Sequence, residues 1–120
     1  MARHEEGKVS KGWGQEIIWA TNDMYCGKIL SFKEGGKMSM HFHMQKHETW
    51  YVLEGSFMIN KINTETAEKY TQNVRKGNTV VNKPGEPHQI MCLKEGMILE
   101  VSTPDSIEDN YRVAKGDSQK

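Results

Sequence analysis

The sequence contains very little cysteine, because Cys26 and Cys92 are the only two among 120 residues. Small secreted domains usually rely on several disulfide bonds, and two cysteines cannot supply such a framework. We interpret both as small side chains packed in the interior of a protein from a reducing compartment. For Cys92 a second interpretation stays open, namely a side chain next to the metal ligands or an additional sulfur ligand. Cys92 lies four residues after His88 and would share its face of a strand.

Net charge is also absent, since 16 basic residues are balanced by 16 acidic ones. Without an overall positive field, the chain is not expected to bind nucleic acid or an acidic membrane surface. No apolar run approaches the roughly 18 residues of a membrane span. The first eight residues are polar and lack the apolar stretch of a signal peptide. We therefore expect a cytoplasmic protein, and at this length a single domain.

No long amphipathic helix is predicted. Short runs rich in β-branched and aromatic residues instead alternate with turn residues, as is typical of a β-sandwich or barrel. A tight turn is predicted at Glu54-Gly55, and a single helical turn is considered for residues 104–110. The predicted strands are Glu16–Ala20, Tyr25–Phe32, Met38–His43, Thr49–Leu53, Ser56–Ile62, Lys69–Val74, Thr79–Val81, His88–Leu93 and Met97–Ser102.

Three histidines and a glutamate form the most informative pattern that is present. His41 and His43 lie two residues apart and so point to one face of a strand. Glu48 follows a short polar stretch, and His88 comes after the turn-forming run Pro84-Gly85-Glu86-Pro87. Three imidazoles and a carboxylate make a mixed nitrogen and oxygen site that suits one divalent transition metal per chain, namely Zn, Mn, Fe, Ni or Co.

The spacing of these residues resembles the two motifs of the cupin superfamily. The first block, Gly35-x5-His41-x-His43-x4-Glu48-x6-Gly55, matches the family pattern at every defined position. The second, Gly77-x5-Lys83-x-Gly85-x2-His88, has lysine where proline is usual, and Cys92 replaces a final asparagine. The resemblance implies an all-β jelly-roll barrel, or double-stranded β-helix, with motifs at residues 35–55 and 77–92. Residues 1–12 would form an N-terminal arm and residues 113–120 a loose tail.

A finer resemblance concerns small cupins of the mannose-6-phosphate isomerase type II group. It is carried by Trp13-Gly14, by the run Glu48-Thr49-Trp50, by Glu100-Val101-Ser102 and by the ending Glu108–Arg112. It implies aldose–ketose isomerisation of a sugar or sugar phosphate, with a base moving a proton between neighbouring carbons. Cupins also commonly pair as homodimers, and the apolar segment Ile17-Ile18-Trp19 is the candidate interface.

Further site residues follow from strand parity and from chemistry. Parity from the metal-ligand candidates places three side chains in the substrate pocket: Trp50, Ile90 and Cys92. The candidates for a general base or phosphate clamp are Lys37, Glu100 and Arg112.

Two other functions remain open at this point. The first is a dioxygenase or lyase acting on a small carboxylated compound, which would favour a tyrosine such as Tyr25 or Tyr51 near the metal. The second is a non-catalytic barrel that binds a small ligand or sugar.

Overall fold

The computed structural model describes residues 2–120, which form nine strands and one short 3₁₀ helix. The 3₁₀ helix spans Asp117–Gln119, and no element of the described chain is a helix long and apolar enough to cross a bilayer. The strands are β1 (Gly7–Lys11), β2 (Gly14–Thr21), β3 (Cys26–Phe32), β4 (Met40–Phe42), β5 (Glu48–Ile62), β6 (Lys69–Arg75), β7 (Thr79–Asn82), β8 (His88–Ser102) and β9 (Tyr111–Ala114).

Two long strands, β5 and β8, run antiparallel through both sheets of a barrel. The first half of β5 and the second half of β8 lie in one sheet, in the order β1-β2-β3-β8-β5-β7. Their other halves lie in a second sheet, in the order β9-β4-β8-β5-β6. This all-β arrangement confirms the predicted jelly-roll barrel.

The bend between the two sheets lies where two glycines face each other. A Cβ on Gly96 would lie 2.0 Å from the Glu54 carbonyl oxygen, and Gly55 adopts a left-handed φ of 90°. The predicted tight turn at Glu54-Gly55 is therefore wrong: the pairing shifts register here, but the strand continues. A glycine with positive φ can form a bulge that bends a strand as readily as a turn that reverses it.

The interior is filled by side chains that alternate along the strands. Trp50 and Val52 are buried while Tyr51, between them, is 41 % exposed, as parity from Glu48 predicts. Trp13 stacks on Phe32 with ring centroids 4.3 Å apart. The remaining apolar core consists of Leu30, Phe57, Ile59, Val74, Val80, Ile90, Cys92 and Ile98. Both cysteines are buried and free.

The C-terminal segment departs most from expectation. Residues 104–110 contain bends and no helical turn. Residues 113–120 are not a loose tail, because β9 pairs with β4 and Asp117 accepts a hydrogen bond from the backbone N–H of Lys37 at 2.8 Å. Gly116 is buried against the backbone of Met38 and Ser39. At the other end, the predicted arm is described only from residue 2, since Met1 lies outside the described residues, and its later part forms β1.

Candidate metal centre

The structure brings the four predicted metal-ligand candidates together at one end of the barrel. His41 in β4 lies directly across from His88, the first residue of β8. His43 follows β4 immediately, and Glu48 begins β5. The short strand β4 thus presents two imidazoles two residues apart, as the spacing predicts.

Three imidazoles converge closely. One ring nitrogen of each of His41, His43 and His88 lies within 4.8 Å of those of the other two. Glu48 adds a carboxylate, whose Oε1 lies 3.3 Å from His43 Nε2 and 3.6 Å from His88 Nε2. The three histidines form a group that can hold a metal ion, and Glu48 is placed to contribute a fourth ligand.

Backbone carbonyls fix the orientation of all three rings. The Nδ1 atoms of His41, His43 and His88 lie 2.9, 2.6 and 2.9 Å from the carbonyl oxygens of Ser39, Asp109 and Glu86. A carbonyl oxygen can only accept, so each Nδ1 carries the hydrogen. Each neutral ring therefore keeps a free lone pair on Nε2, which is the arrangement that metal-binding histidines adopt.

The electrostatic environment keeps most of this group neutral. Burial, together with the two neighbouring imidazoles, lowers the pKa of His41 to about 3. Burial also lowers the pKa of His88. At His43, burial acts in the same direction but is outweighed by the neighbouring Glu48 carboxylate, so the pKa of His43 is raised. Two of the rings are thus free bases at neutral pH.

Two buried atoms of this group have no hydrogen-bond partner among the described residues, namely His88 Nε2 and Glu48 Oε1. Both are acceptors with lone pairs facing the same space. Unpaired buried polar atoms cost free energy, and a cation placed between them would remove that cost. The donor set therefore fits a divalent transition metal.

A cavity of about 200 Å³ opens beside the histidines. Its wall combines apolar groups such as Trp50 and Leu30 with many charged side chains. The charged and polar lining residues are His4, Lys11, Glu16, Lys28, Ser39, His41, His43, Lys46, Glu48, Glu100, Asp105, Ser106, Asn110, Arg112, Ser118 and Gln119.

Lys46 is the centre of a buried charge network in this wall. It is 4 % exposed, and its Nζ lies 3.0 Å from Glu100, 3.6 Å from Asp105 and 3.9 Å from Glu48. Burial lowers the pKa of Lys46, but these carboxylates, Glu100 first, raise it well above its usual value. Lys46 is therefore a fixed cation beside the metal-ligand candidates.

The pKa values of the two glutamates in this network are shifted in opposite directions. Burial raises the pKa of Glu48, but Lys46 and His88 outweigh it, so the pKa lies well below the usual range. Burial and the negative charge of Glu48 raise the pKa of Glu100, against the opposing effect of Lys46. Glu100 is also held by Trp50, whose Nε1 donates to its Oε1 at 2.9 Å. One carboxylate is thus firmly ionised and the other is easier to protonate.

A second buried lysine extends the network. Lys28 Nζ lies 3.0 Å from Glu16 and 3.1 Å from Asp105. Burial raises the pKa of Asp105, but Lys28 and Lys46 reverse the shift and hold the pKa below its usual value.

Asp109 organises the loop between the second histidine and the glutamate. Its carboxylate accepts backbone hydrogen bonds from Met44 at 2.7 Å and from Gln45 and Lys46 at 3.1 Å each. Its own carbonyl oxygen is the acceptor for His43 Nδ1. One residue near the C-terminus therefore orients both His43 and the loop that carries Lys46.

The remaining predicted site residues divide into two groups. Trp50, Glu100 and Arg112 line the cavity. Ile90 and Cys92 are inward-facing as predicted but belong to the hydrophobic core, below the cavity lining. Lys37 also lies outside the lining; the segment that carries it pairs with Met91 and with Asp117. The chain between Lys37 and β4 is not a regular strand, so the alternation that places His41 and His43 at the site does not extend to Lys37.

Sequence reasoning missed Lys46, Lys28, Asp105 and Asp109. Parity offers a signal for two of them: Lys46 is two residues before Glu48, and Lys28 alternates with the buried Leu30 and Phe32. No local signal identifies Asp105, and Asp109 enters only as part of the ending Glu108–Arg112 without a role of its own. Both aspartates follow β8 in an irregular segment and reach the site only through the tertiary fold.

Comparisons with known proteins agree with this architecture. The Cupin family matches residues 25–111. An RmlC-like cupin from Shewanella frigidimarina superimposes with a TM-score of 0.71 at 18 % identity, covering 87 % of this chain and 86 % of that one. A search of curated proteins found no match.

Two longer proteins share the fold over part of their length. Oxalate decarboxylase from Bacillus subtilis matches 92 % of this chain with a TM-score of 0.71 at 20 % identity. The capsular polysaccharide assembling protein CapF from Staphylococcus aureus matches 93 % with a TM-score of 0.76 at 18 % identity. This chain spans 29 % and 33 % of their respective lengths. At such identities the likeness concerns the fold alone. Together with the family match, which covers most of its length, these findings show that the chain belongs to the cupin family.

Proposed function

We propose that the protein binds one divalent transition metal through His41, His43 and His88, with Glu48 as the fourth ligand. The fixed Nδ1–H tautomers and the two unpartnered buried acceptors support this proposal. Zn, Mn, Fe, Ni and Co all accept such a mixed set of ligands. When bound, the metal supplies a Lewis acid that polarises oxygen atoms of a small molecule in the cavity.

We further propose that the protein is a metal-dependent isomerase acting on a hydroxy-carbonyl compound of the sugar or sugar phosphate class. The observation that carries this proposal is the position of Glu100, a buried carboxyl group that lines the same cavity as the histidines. In this role Glu100 removes the proton from the hydroxyl-bearing carbon beside the carbonyl group and returns it to the former carbonyl carbon, while the hydroxyl proton passes to the former carbonyl oxygen. Trp50 and Lys46 hold the carboxyl group in place through the contacts at 2.9 and 3.0 Å.

An oxygenase or lyase receives less support from the cavity. That interpretation favours a tyrosine near the metal, but Tyr25 and Tyr51 are 55 % and 41 % exposed and neither lines the cavity. The likeness to oxalate decarboxylase is one of fold. A non-catalytic binding barrel would use the same cavity without needing a base, and the experiments below separate it from an enzyme.

Metal content tests the first proposal. Protein purified without a chelating tag is expected to contain about one transition metal ion per chain, measured by inductively coupled plasma mass spectrometry. His43→Ala and His88→Ala should both lose the metal, since each removes a ligand from a small set. His47→Ala is the matched control, because His47 is exposed and lies outside the cavity lining. Retention of the metal by both ligand variants would place the centre elsewhere.

Proton exchange tests the isomerase proposal. The metal-loaded protein is incubated in D₂O with hexose 6-phosphates and with free hexoses, and NMR follows ketose formation and the appearance of deuterium at C1 of the ketose and C2 of the aldose. Glu100→Gln should slow ketose formation and deuterium incorporation by about 100-fold or more, as for loss of a general base. The variant should keep its metal. Glu95→Gln changes an exposed residue of the same strand and should leave both rates unchanged. Tight sugar binding by the wild-type protein without exchange or turnover would identify a binding barrel instead.

We also propose that the protein forms a homodimer through the outer face of the sheet that contains β2, β3, β8, β5 and β7. A row of apolar side chains crosses this face: Trp19 lies over Gly27, Gly27 pairs with Val101, and Thr49 pairs with both Val101 and Val81. Trp19, Val81 and Val101 are 49, 44 and 47 % exposed. An exposed apolar patch of this kind can pack against the same patch of a second copy across a two-fold axis, the commonest symmetry of soluble oligomers. Ile18 of the originally predicted interface segment is buried in the monomer and takes no part.

A further inference from the structure

One cation of the cavity lining has no carboxylate partner among the described residues. The lysines of the lining each have a carboxylate within 4.0 Å: Lys28 and Lys46 at 3.0 Å and Lys11 at 3.9 Å. Arg112 lines the same cavity, and no described carboxylate lies within that distance of its guanidinium group.

The position of Arg112 is set by the pairing of β4 with β9. Arg112 lies directly across from His41, and directly opposed residues point to the same face of a sheet. The neighbouring pair confirms this alternation, because Phe42 and Tyr111 stack at 5.2 Å on the other face. Opposed Cβ atoms are about 5 Å apart, so Arg112 extends into the cavity mouth from beside a metal-ligand candidate.

Several of the residues that line the cavity together with Arg112 are polar and uncharged. The C-terminal segment contributes Asn110, Ser118 and Gln119 to the lining, and β4 is preceded by Ser39. None of these side chains is acidic, whereas the four lining carboxylates each lie within 4.0 Å of a buried lysine. Each lining carboxylate thus has a buried lysine as its partner, and Arg112 has no carboxylate partner among the described residues.

We propose that Arg112 binds an anionic group, a phosphate or a carboxylate, on the small molecule that occupies the cavity. Its guanidinium group presents a planar fork of N–H donors that matches two oxygens of such an anion. The ligand would place its oxygen-rich end at the histidines and its anionic end at Arg112, and a cavity of about 200 Å³ limits it to a small molecule. This inference rests on the proposed function only in placing the ligand in the same cavity.

Calorimetry of the protein as purified tests this proposal with three probes: D-fructose, D-fructose 6-phosphate and D-gluconate. Wild-type protein should bind at least one of the two anions about 10-fold or more tightly than fructose, as expected for a charge-assisted pair. Arg112→Gln should erase that advantage, and Arg112→Lys should keep part of it because an ammonium group retains the charge but not the fork. The anion whose affinity exceeds that of fructose by the larger factor identifies phosphate or carboxylate as the preferred group.

Lys115→Gln is the matched control, since it removes one positive charge from an exposed position of the same segment outside the cavity lining. It should keep the full anion preference, and all variants should keep their metal content. The proposal is overturned if wild-type protein shows no anion preference, if Arg112→Gln retains it, or if Lys115→Gln loses it equally. Anion preference without proton exchange would remove the isomerase proposal and leave the anion site standing.

Discussion

Lys46 illustrates how much a single residue depends on its surroundings. An amino group that is 4 % exposed would ordinarily lose its charge, but three carboxylates within 4.0 Å keep it protonated. Such buried ion pairs add little net stability, whereas removing one partner costs about 3–5 kcal/mol because the other charge is left unpaired. The network is therefore better explained by the fixed position it imposes on Glu48 and Glu100 than by stability.

Asp109 provides a residue-scale prediction about positioning. Asp109→Asn replaces a carboxylate oxygen by an NH₂ group that cannot accept the backbone N–H bonds now made to it. The loop that carries Lys46 should loosen, and with it the orientation of His43. We expect the affinity for the metal to fall by about 10- to 100-fold, as for other residues that orient metal ligands, measured by competition with a chelator.

Asp117→Asn is the control for this change, because Asp117 also accepts a backbone hydrogen bond, from Lys37 at 2.8 Å, but lies outside the cavity lining. Both variants should lower the melting temperature of the metal-free protein. Only Asp109→Asn should weaken metal binding. Equal losses of metal affinity in the two variants would show that Asp109 acts through general stability alone.

At the scale of elements, the sequence predicts the strands well where alternation is strong and the neighbours are local. The run from Cys26 to Phe32 alternates between inward and outward side chains, and the predicted strand differs from the observed one by a single residue. Gly55 is different, because its positive φ of 90° is compatible with either a turn or a bulge. The choice depends on Gly96, which lies across from it in β8 and is distant in sequence.

The candidate site shows the same difference between features with a local sequence signal and features that depend on distant residues. The spacing of His41, His43, Glu48 and His88 identifies the group that the fold brings together, because strand parity and the cupin motifs are local signals. The ionic network is not local: Lys46 meets Glu100 across 54 residues of sequence, and Asp109 meets Met44 across 65. From the sequence alone a charged side chain is assigned to the surface, because its buried partner is known only from the fold.

At the scale of the whole molecule, the apolar outer face leads to a prediction about assembly. Light scattering at micromolar concentration should give twice the chain mass of 13.8 kDa. Val101→Glu should shift the protein to the monomer, because it buries a charge at the centre of the proposed interface. The metal content should stay unchanged, since Val101 faces away from the cavity.

Leu93→Glu is the matched control, as Leu93 is 48 % exposed against 47 % for Val101 and lies in the other half of the same strand. It should leave the dimer intact. A monomeric wild-type protein, or dissociation of both variants alike, would exclude this face as the interface.

The late position of Asp109 and Arg112 in the chain has a consequence for biosynthesis. The ribosome delivers His41, His43 and His88 well before it delivers the segment that pairs with β4. Until that segment emerges, His43 lacks the carbonyl acceptor that directs its Nδ1 hydrogen, and the loop around Lys46 lacks its carboxylate. In a nascent chain the rings of His41 and His88 already have their acceptors in Ser39 and Glu86. His43 is oriented only after Asp109 has been added and β9 has paired with β4, so the centre is completed last at His43.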